Sequence, residues 1–380
     1  MYKQRLFAPG PTPVPEETLL ELARPMFHHR TGQYRKMLEQ LTRDMQHIIQ
    51  TEQEVYTMTG SGSAAMEAAV ANLVGRGETM IAVRGGKFGE RWSELGRAFG
   101  ANVVDLDVDW STAVTAEQID EALKAHPDTV AVFIQHCETS TATACDVEAI
   151  AKVVAGTKAC LVVDGITGVG ALPYRMDAWG VDVTVVGSQK ALMLPAGLAF
   201  IACSKKAWAK IEATASPTYY VNLKAYRKSQ AKWDNPYTPA NTMVRAALVS
   251  TAMIRAEGLE TVWAETRRRA EAMRAAARAL DLELFSKSPS DSVTAIRTPQ
   301  GIDGEAVPKV MAEEFGVRIA GGQSQLKGKI VRFSHMGYTD AFDVLAAVGA
   351  LEMALARLGA TVEFGAGVAA AQKVLAQAQA

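Results

Sequence analysis

Residues 183–197 read VTVVGSQKALMLPAG, and this stretch decides how the chain arranges its chemistry. A run with three valines ends at Gly187 and Ser188, Lys190 follows almost at once, and a second apolar run begins at Ala191. The β-branched residues favour a buried strand. A lysine between two buried segments is unusual, because its ammonium is costly to remove from water. We therefore expect a chemical role for Lys190, although buried lysines can also simply form a salt bridge.

The same kind of apolar, β-branched run occurs several more times, and helical periodicity lies between many of the runs. Strands that are apolar throughout and alternate with helices indicate an α/β fold, with a mostly parallel sheet covered by helices on both faces. The predicted strands are 79–83, 103–106, 130–135, 160–163, 181–186 and 198–202. The predicted helices are 34–50, 64–74, 116–126 and 147–155.

The pattern changes near residue 251, which indicates a second domain. We predict a large domain of residues 15–250 and a smaller C-terminal α+β domain of residues 251–360, with residues 1–14 packed against it. Residues 361–380, rich in Ala and Gln, predict a helix or a frayed tail. The elements predicted for the smaller domain are a long helix at 261–280, a strand at 292–299, a helix at 304–314, a strand at 329–333 and a helix at 341–358.

The composition argues against several classes of protein. The chain has 380 residues, of which 48% are hydrophobic and 21% charged, and its formal net charge is -1. This balance does not indicate a nucleic-acid partner or an anionic membrane. No apolar run is long enough to span a bilayer, and the early prolines do not fit a secretory signal. The 4 cysteines lack disulfide or metal-site spacing, so we predict a reduced, cytoplasmic setting and no metal site.

A turn of small residues precedes the helix predicted at 64–74. The sequence TGSGSAAMEAA places Ser61, Gly62 and Ser63 at the helix N-terminus. Free N–H groups, hydroxyls and the positive end of the helix dipole suit a phosphate there. Turns of this kind are also common without a ligand. The turn matches neither the Walker pattern nor the dinucleotide pattern GxGxxG.

Asp164 follows the strand predicted at 160–163, at the sheet edge where ligands of parallel sheets bind. A buried carboxylate needs a cationic partner or N–H donors, and Asp164 could equally cap a turn. Together with Lys190 and the turn at 61–63, it would bring an acid, an amine and a phosphate site to one edge. Pyridoxal 5′-phosphate uses all three, through its ring nitrogen, its aldehyde and its phosphate. We therefore predict this cofactor, with Lys190 forming the Schiff base.

With these residues located, the chain resembles the class V aminotransferases, and most of all their alanine–glyoxylate and serine–pyruvate aminotransferase branch. The most specific part is GSQKAL, residues 187–192, about one strand–loop–strand unit after VDG, residues 163–165. The resemblance covers nearly the whole chain and includes APGPTPVPE (8–16), HHRTGQYR (28–35), GSGSAAMEAA, ETSTA, GKIVRFSHMG (328–337) and LEMALARLG (351–359). It implies a fold-type-I pyridoxal-phosphate transferase that moves an amino group from alanine, serine or aspartate to a 2-oxo acid, glyoxylate or pyruvate.

The resemblance also implies a role for each residue of the cofactor site. Residues 61–63 and Gln189 would bind the phosphate, although many relatives carry His where this chain has Ser63. Phe88 and Ile166 would pack on opposite faces of the ring, and Phe88 could otherwise be an ordinary core residue. Thr139 would donate to the phenolic oxygen. The cofactor-binding residues implied are Ser61, Gly62, Ser63, Phe88, Thr139, Asp164, Ile166, Gln189, Lys190, Tyr237 and Thr238.

Two further matches concern a partner subunit and the substrate. Tyr237 and Thr238, in YTPANT, correspond to a segment that reaches the neighbouring subunit's phosphate, which implies a homodimer with a composite active site. Arg332 corresponds to the arginine that binds the substrate carboxylate, a task that suits a planar guanidinium. A surface arginine on a strand is the alternative. Arg30 could contact a second acidic group on the substrate, but we favour a structural role for it.

The mechanism implied makes Lys190 a general base and then a general acid, with Asp164 holding the ring nitrogen protonated. Two alternatives remain. A cysteine desulfurase or related lyase shares this fold, but it needs a nucleophilic cysteine that the loop AGGQSQLKGK, residues 320–329, does not contain. A non-catalytic scaffold subunit would keep the fold without the cofactor, although every expected position holds a competent residue type.

Overall fold

The computed structural model describes residues 3–377, so residues 1–2 and 378–380 of the predicted small domain and tail lie outside the described residues. The strands are β1 (Arg5–Leu6), β2 (Val55–Gly60), β3 (Thr79–Arg84), β4 (Asn102–Asp107), β5 (Ala131–Gln135), β6 (Cys137–Glu138), β7 (Thr143–Ala144), β8 (Cys160–Asp164), β9 (Val183–Gly187), β10 (Gly197–Cys203), β11 (Val293–Arg297), β12 (Val317–Arg318), β13 (Ala320–Gly321) and β14 (Ile330–Ser334). The α-helices are α1 (Glu16–Leu22), α2 (Gly32–Ile49), α3 (Gly62–Leu73), α4 (Lys87–Ala98), α5 (Ala116–Ala125), α6 (Val147–Ala155), α7 (Met176–Trp179), α8 (Lys205–Ala213), α9 (Leu223–Gln230), α10 (Asn241–Glu257), α11 (Leu259–Ala279), α12 (Ala306–Phe315), α13 (Ala341–Arg357) and α14 (Ala366–Leu375).

A seven-stranded sheet of order β2-β10-β9-β8-β5-β3-β4 forms the centre of the larger part of the molecule. The pairs from β9 to β4 are parallel, whereas β10 runs antiparallel to both of its neighbours. Successive residues of a strand point to opposite faces, so Ile81 and Val83 belong to one core and Met80 and Ala82 to the other. The predicted α/β fold with a mostly parallel sheet is confirmed.

The middle of this sheet brings three chain segments to one edge. β8 and β9 are parallel neighbours, with Asp164 paired to Val185. Gly187, at the end of β9, pairs with Ala199 of β10, and Gly60, at the end of β2, pairs with Gly197 of the same strand. The carboxyl ends of β2, β8 and β9 therefore lie together, which is where parallel sheets bind ligands.

The smaller part of the molecule is an antiparallel sheet of order β11-β14-β13, packed with α11, α12 and α13. β1 pairs in parallel with β12, and Phe7 is buried in the same core. α14 packs against α11 and α13, so the tail is helical over Ala366–Leu375. The division into two domains stays a prediction, and its boundary at residue 250 falls inside α10.

No helix within residues 3–377 has the length and apolar character needed to cross a membrane.

Candidate active site

The turn from β2 into α3 forms the first side of the site. The N–H groups of Gly62 and Ser63 lie in the first turn of α3, where the helix itself offers no acceptor, and this turn contains no acidic residue. A Cβ at Gly62 would lie 2.9 Å from Cγ1 of Ile166 and closer still to its Cδ1. Glycine therefore lets the helix N-terminus approach the loop that follows β8. The turn presents backbone donors and a positive dipole end to that loop.

The end of β9 forms the second side. A Cβ at Gly187 would lie 3.3 Å from Cγ2 of Ile166, 3.5 Å from Cα of Gly62 and 3.0 Å from Oε1 of Gln189. The start of α3 and the ends of β8 and β9 thus meet at close range. Oε1 of Gln189 is buried without a hydrogen-bond partner in the part of the chain that the structure describes. A buried polar atom without a partner costs about 1–3 kcal/mol, and a ligand that hydrogen-bonds there removes that cost.

Asp164 lies at the end of β8 with 5% of its surface exposed. Its carboxylate accepts a hydrogen bond from the N–H of Ile166 at 2.9 Å, the one donor that residues 3–377 provide to it. Burial raises the pKa of Asp164 to about 7, and the charge of Lys190 opposes that rise. Because an adjacent cation stabilises a carboxylate, a cationic ligand group would return Asp164 to its ionised form.

Lys190 lies in the loop after β9 and is 8% exposed. Its Nζ donates a hydrogen bond to the carbonyl of Pro9. Burial lowers the pKa of Lys190 to about 8, while the charge of Asp164 acts in the opposite direction. An amine with this pKa is partly neutral near pH 8, so it can act as a nucleophile and as a base.

An aromatic residue and an arginine lie beside the turn from β2 into α3. Phe88 is half-buried in the first turn of α4, and the guanidinium carbon of Arg91 lies 5.0 Å from its ring centre. Nη1 of Arg91 donates to Oγ of Ser63 at 3.1 Å, which links α4 to the start of α3. The sequence analysis missed Arg91. The available signal is its i+3 spacing from Phe88, which places both residues on one helix face.

Glu138 organises the loops around Phe88. Its carboxylate accepts hydrogen bonds from the N–H groups of Phe88 at 3.2 Å, Gly89 at 2.9 Å and Ser140 at 3.0 Å. Burial raises the pKa of Glu138, whereas these donors favour its charged form. The sequence analysis also missed Glu138, although it is the first residue of the ETST motif, because a polar loop has no periodicity that separates one side chain from its neighbours.

Arg332, on β14, contacts Thr139, which follows β6. Oγ1 of Thr139 lies 2.5 Å from Oγ1 of Thr167, and the carbonyl of Thr139 accepts from Nη1 of Arg332 at 2.8 Å. Nε and Nη2 of Arg332 donate to the carbonyl of Gly321 at 3.0 and 2.8 Å. Arg332 is 5% exposed, and burial lowers its pKa to about 10. Its acceptors are neutral carbonyls, so the guanidinium charge is available to a ligand carboxylate.

The family model for class V aminotransferases matches residues 7–346. This chain belongs to the class V aminotransferase family. The predicted family and the predicted aminotransferase function are confirmed, and enzymes of this family are in general dependent on pyridoxal phosphate.

Relatives match this aminotransferase along nearly its whole length. It is 39% identical over 382 residues to a protein named soluble hydrogenase, small subunit, from Synechococcus sp. (strain PCC 6716), with 99% of each chain covered. It is 35% identical to the L-aspartate–glyoxylate aminotransferase of Paracoccus denitrificans, with 97% of this chain and 95% of the relative covered. The crystal structure of ureidoglycine–glyoxylate aminotransferase from Bacillus subtilis has a TM-score of 0.95 and 27% identity, with 99% of each chain covered.

Tyr237 and Thr238 belong to a segment that is anchored near the end of β2. The hydroxyl of Tyr237 donates to the carbonyl of Tyr219, and Thr238 is exposed. The N–H of Ala240 donates to Oγ1 of Thr59 at 2.9 Å, which anchors this segment to its own chain. A contact from this segment of the aminotransferase to a neighbouring subunit's phosphate stays a prediction.

Arg30 has a structural contact, since its Nη1 lies 2.7 Å from Oδ2 of Asp234. His136 is buried against Tyr174, and burial lowers its pKa to about 4, so the ring is neutral at pH 7.

The cysteines of the aminotransferase are buried or half-buried thiols. Burial raises the pKa of Cys137 to about 11 and that of Cys145 and Cys160 to about 12. Across residues 3–377, no group of three or more His, Cys, Asp or Glu is placed to hold a metal ion.

Proposed function

We propose that this aminotransferase binds pyridoxal 5′-phosphate between Asp164 and Lys190 and uses it to move an amino group from a small amino acid to a 2-oxo acid. One observation carries the proposal. A buried carboxylate and a buried amine, each acting on the other's pKa, follow the ends of two adjacent parallel strands. Structural roles alone would leave both groups with a desolvation cost and few partners.

The residues present fit this cofactor. Within residues 3–377 the Asp164 carboxylate accepts from one N–H donor, and a protonated ring nitrogen would supply a cationic partner. The donors at Gly62 and Ser63, together with the unpartnered side chain of Gln189, fit a phosphate. Ile166 offers an apolar surface beside both. Phe88 and Thr139 are assigned to the ring face and the phenolic oxygen by the family resemblance. The Phe88 ring contacts Arg91, which donates to Oγ of Ser63, and the carbonyl of Thr139 accepts from Arg332; both contacts are consistent with those roles.

The chain's own groups have distinct tasks in this proposal. Bound pyridoxal phosphate supplies an aldehyde that condenses with amines and a ring that withdraws electrons from the substrate's α-carbon. Nζ of Lys190 would accept the proton of the substrate's α-carbon and later return a proton to the former aldehyde carbon of the cofactor. A pKa of about 8 suits both directions of that transfer near neutral pH. Asp164 keeps its charge opposite the ring nitrogen, and the apolar surroundings exclude water.

Arg332 holds the substrate's carboxylate. Its guanidinium is fixed by the carbonyls of Thr139 and Gly321, so it is positioned before the substrate arrives. We propose glyoxylate as the acceptor, because the names of the Paracoccus and Bacillus relatives both specify it. The names of relatives nevertheless differ, and one specifies a hydrogenase subunit. The residues of the site therefore carry the proposed reaction, and the names of relatives only narrow the choice of 2-oxo acid acceptor.

We further propose a homodimer in which Tyr237 and Thr238 complete the neighbouring subunit's site. The exposed ring of Tyr219, 80% accessible and 5.2 Å from the ring of Tyr237, gives this region an aromatic surface that a second subunit would cover. The cytoplasmic setting stays a prediction from the cysteine pattern.

The desulfurase alternative finds no support in the cysteines. That chemistry needs a thiolate near the substrate, and burial raises the pKa of Cys137, which interacts electrostatically with Lys190. We expect no sulfide release when L-cysteine is supplied as substrate. Sulfide production that increases with cofactor loading would instead support the desulfurase alternative.

Replacement of the lysine tests the proposal. The Lys190→Ala variant should lose steady turnover between amino acids and glyoxylate. Borohydride treatment of the loaded wild-type protein should place the mass of the reduced cofactor on the peptide that contains Lys190. Lys206→Ala, a half-exposed lysine that donates to the carbonyl of Ala159, is the matched control and should keep both properties. Full activity in Lys190→Ala, or the label on another lysine, would contradict the proposal.

A further inference from the structure

The amine of Lys190 contacts a segment from the opposite end of the sequence. Its Nζ donates to the carbonyl of Pro9, which lies 181 residues earlier. A Cβ at Gly10 would lie 2.6 Å from Cε of Lys190, 2.9 Å from its Cδ and closer still to its Nζ. Real Cβ atoms essentially never approach other atoms within 3.0 Å. The outer half of the lysine side chain therefore occupies the space that any side chain at position 10 would need.

The segment that carries this carbonyl is anchored on both sides; we refer to residues 7–12 as the N-terminal strap. The carbonyl of Phe7 accepts from the N–H of Ser334, at the end of β14, at 2.8 Å. Oγ1 of Thr12 donates to the backbone carbonyl of Lys190 at 2.7 Å. The strap is thus attached to the strand that carries the substrate-binding arginine and to the loop that carries the lysine. Its carbonyl is held in place before the amine meets it.

A neutral carbonyl is a suitable acceptor for an amine that must change its protonation state. A carboxylate at the same place would favour the ammonium form strongly. The carbonyl orients the amine through a hydrogen bond and adds no full charge. A long lysine side chain also loses much conformational freedom when it is fixed, and an acceptor that is already rigid limits that cost to one partner.

We infer that the Pro9 carbonyl is the resting position of the Lys190 amine whenever that amine is free, and that Gly10 is required because it leaves the amine room to reach it. The inference rests on the proposed function, in which the amine is alternately bound and free. Pro9 and Gly10 are positioning residues, since they act on the reaction only through Lys190. The resting position keeps the released amine inside the site, ready for proton transfer and for the next attack.

A double-mutant cycle on the cofactor-free, full-length protein tests the contact. Gly10→Ala should lower the Tm by about 1–4 °C when Lys190 is present, since a Cβ at position 10 forces the buried outer end of that side chain to move. In the Lys190→Ala background the same substitution should cost less than half as much, because the colliding side chain is gone. Gly301→Ala is the control for backbone strain: its φ is +84° and a Cβ there meets nothing within 4 Å, so its cost should be equal in both backgrounds.

A second readout follows the amine itself. The cofactor-free protein would be labelled with trinitrobenzenesulfonate at a series of pH values, and the label on Lys190 would be measured by peptide mass spectrometry. In the wild-type chain the midpoint of labelling should lie near pH 8. In Gly10→Ala the midpoint should rise, because the displaced amine is more exposed to water. In the loaded enzyme, kcat should fall by about tenfold while KM for the amino acid stays within about twofold, since Arg332 is untouched.

Equal Tm losses in the two backgrounds, or an unmoved labelling midpoint, would overturn the inference. If Gly10→Ala alone does not fold, recovery of folded protein in the Gly10→Ala/Lys190→Ala double variant supports it, and failure of both variants overturns it. These outcomes are independent of the proposed function. The cycle needs no cofactor, whereas the proposed function is tested by the borohydride label on Lys190 and by the turnover of Lys190→Ala.

Discussion

Glu138 and Asp164 are two buried carboxylates of one site, 3% and 5% exposed, but their hydrogen bonding differs. Glu138 accepts from three backbone N–H groups and a serine hydroxyl. Asp164 accepts from a single backbone N–H, that of Ile166. Because the two carboxylates are similarly buried but accept different numbers of hydrogen bonds, we assign them different roles. The chain itself supplies the donors of Glu138, which fits a structural role, whereas the proposed cofactor would supply a further partner to Asp164.

Of the variants that separate these two acids, the largest effect should come from Asp164, which accepts a single hydrogen bond. Asp164→Asn should lower kcat by about 10²–10³-fold, because asparagine keeps the size of the side chain but holds no charge for the ring nitrogen. Steady-state kinetics with an amino acid and glyoxylate measure it. Asp182→Asn is the matched control: this buried carboxylate precedes β9, at the opposite edge of the sheet, and should affect stability but leave kcat near the wild-type value. A kcat within about threefold of wild type for Asp164→Asn would remove the distinction between the two acids.

A smaller effect should follow from changing the shape of a cation. Arg332→Lys keeps the charge but loses the planar fork, so kcat/KM should fall by about 10–100-fold, mainly through a higher KM. Initial rates at varied amino acid and varied glyoxylate measure it. Arg297→Lys, on the neighbouring strand β11, should leave both KM values unchanged, since Arg297 pairs with Glu283 at 3.2 Å. Unchanged KM values in Arg332→Lys would mean that another group binds the carboxylate.

Glu138→Gln should mainly affect stability. The side-chain amide would bring N–H groups toward the existing backbone donors, which we expect to cost about 1–3 kcal/mol, or roughly 1–4 °C in Tm for a chain of 380 residues. The loss in kcat should be smaller than for Asp164→Asn, because the residue acts through the position of Phe88. Thermal unfolding and kinetics on the same preparation compare the two. An unchanged Tm together with a kcat as low as that of Asp164→Asn would reverse the two roles.

The smallest effect concerns the cofactor-free protein as pH changes. The pKa of Asp164 rises from an ordinary value of 3.8 to about 7 on folding. The folded state therefore binds more protons than the unfolded state between these values, and this group lowers stability as pH rises from about 4 to 7. The Tm of Asp164→Asn minus that of wild type should thus be larger at pH 7.5 than at pH 5. A difference that stays constant over this range would show that burial does not penalise the Asp164 charge.

The acid and the lysine could be predicted from the sequence because each follows a run of buried, β-branched residues. The sequence alone predicts strands at β8 and β9, and Asp164 and Lys190 are the charged groups near their carboxyl ends. The carboxyl ends of parallel strands lie at the same edge of a sheet. The order of the two strands along the chain was therefore enough to place Asp164 and Lys190 at one edge.

Helix α4 could not be predicted in this way, because its glycines disfavour a helix. Packing explains them. A Cβ at Gly96 would lie 2.5 Å from Sδ of Met80 and 2.7 Å from Cγ2 of Val103, so glycine allows the helix to approach the sheet closely. Close packing against β3 and β4 thus outweighs propensity, and it places Phe88 in the first turn of α4.

The remaining features depend on contacts between distant parts of the chain. Glu138 accepts hydrogen bonds from the N–H groups of Gly89 and Phe88, which lie 49 and 50 positions earlier in the chain. Lys190 donates to the carbonyl of Pro9, which lies 181 positions earlier. Neither contact leaves a period or a motif in the sequence, because a backbone donor or acceptor exists at nearly every residue.

The most direct test compares two ligands on two proteins. The dissociation constants of pyridoxal 5′-phosphate and of its analogue with a C–H group in place of the ring nitrogen would be measured for the wild-type chain and for Asp164→Asn. The account predicts that wild type binds pyridoxal 5′-phosphate about tenfold or more tightly than the analogue, and that Asp164→Asn binds the two equally. The same ratio of dissociation constants in both proteins would contradict it.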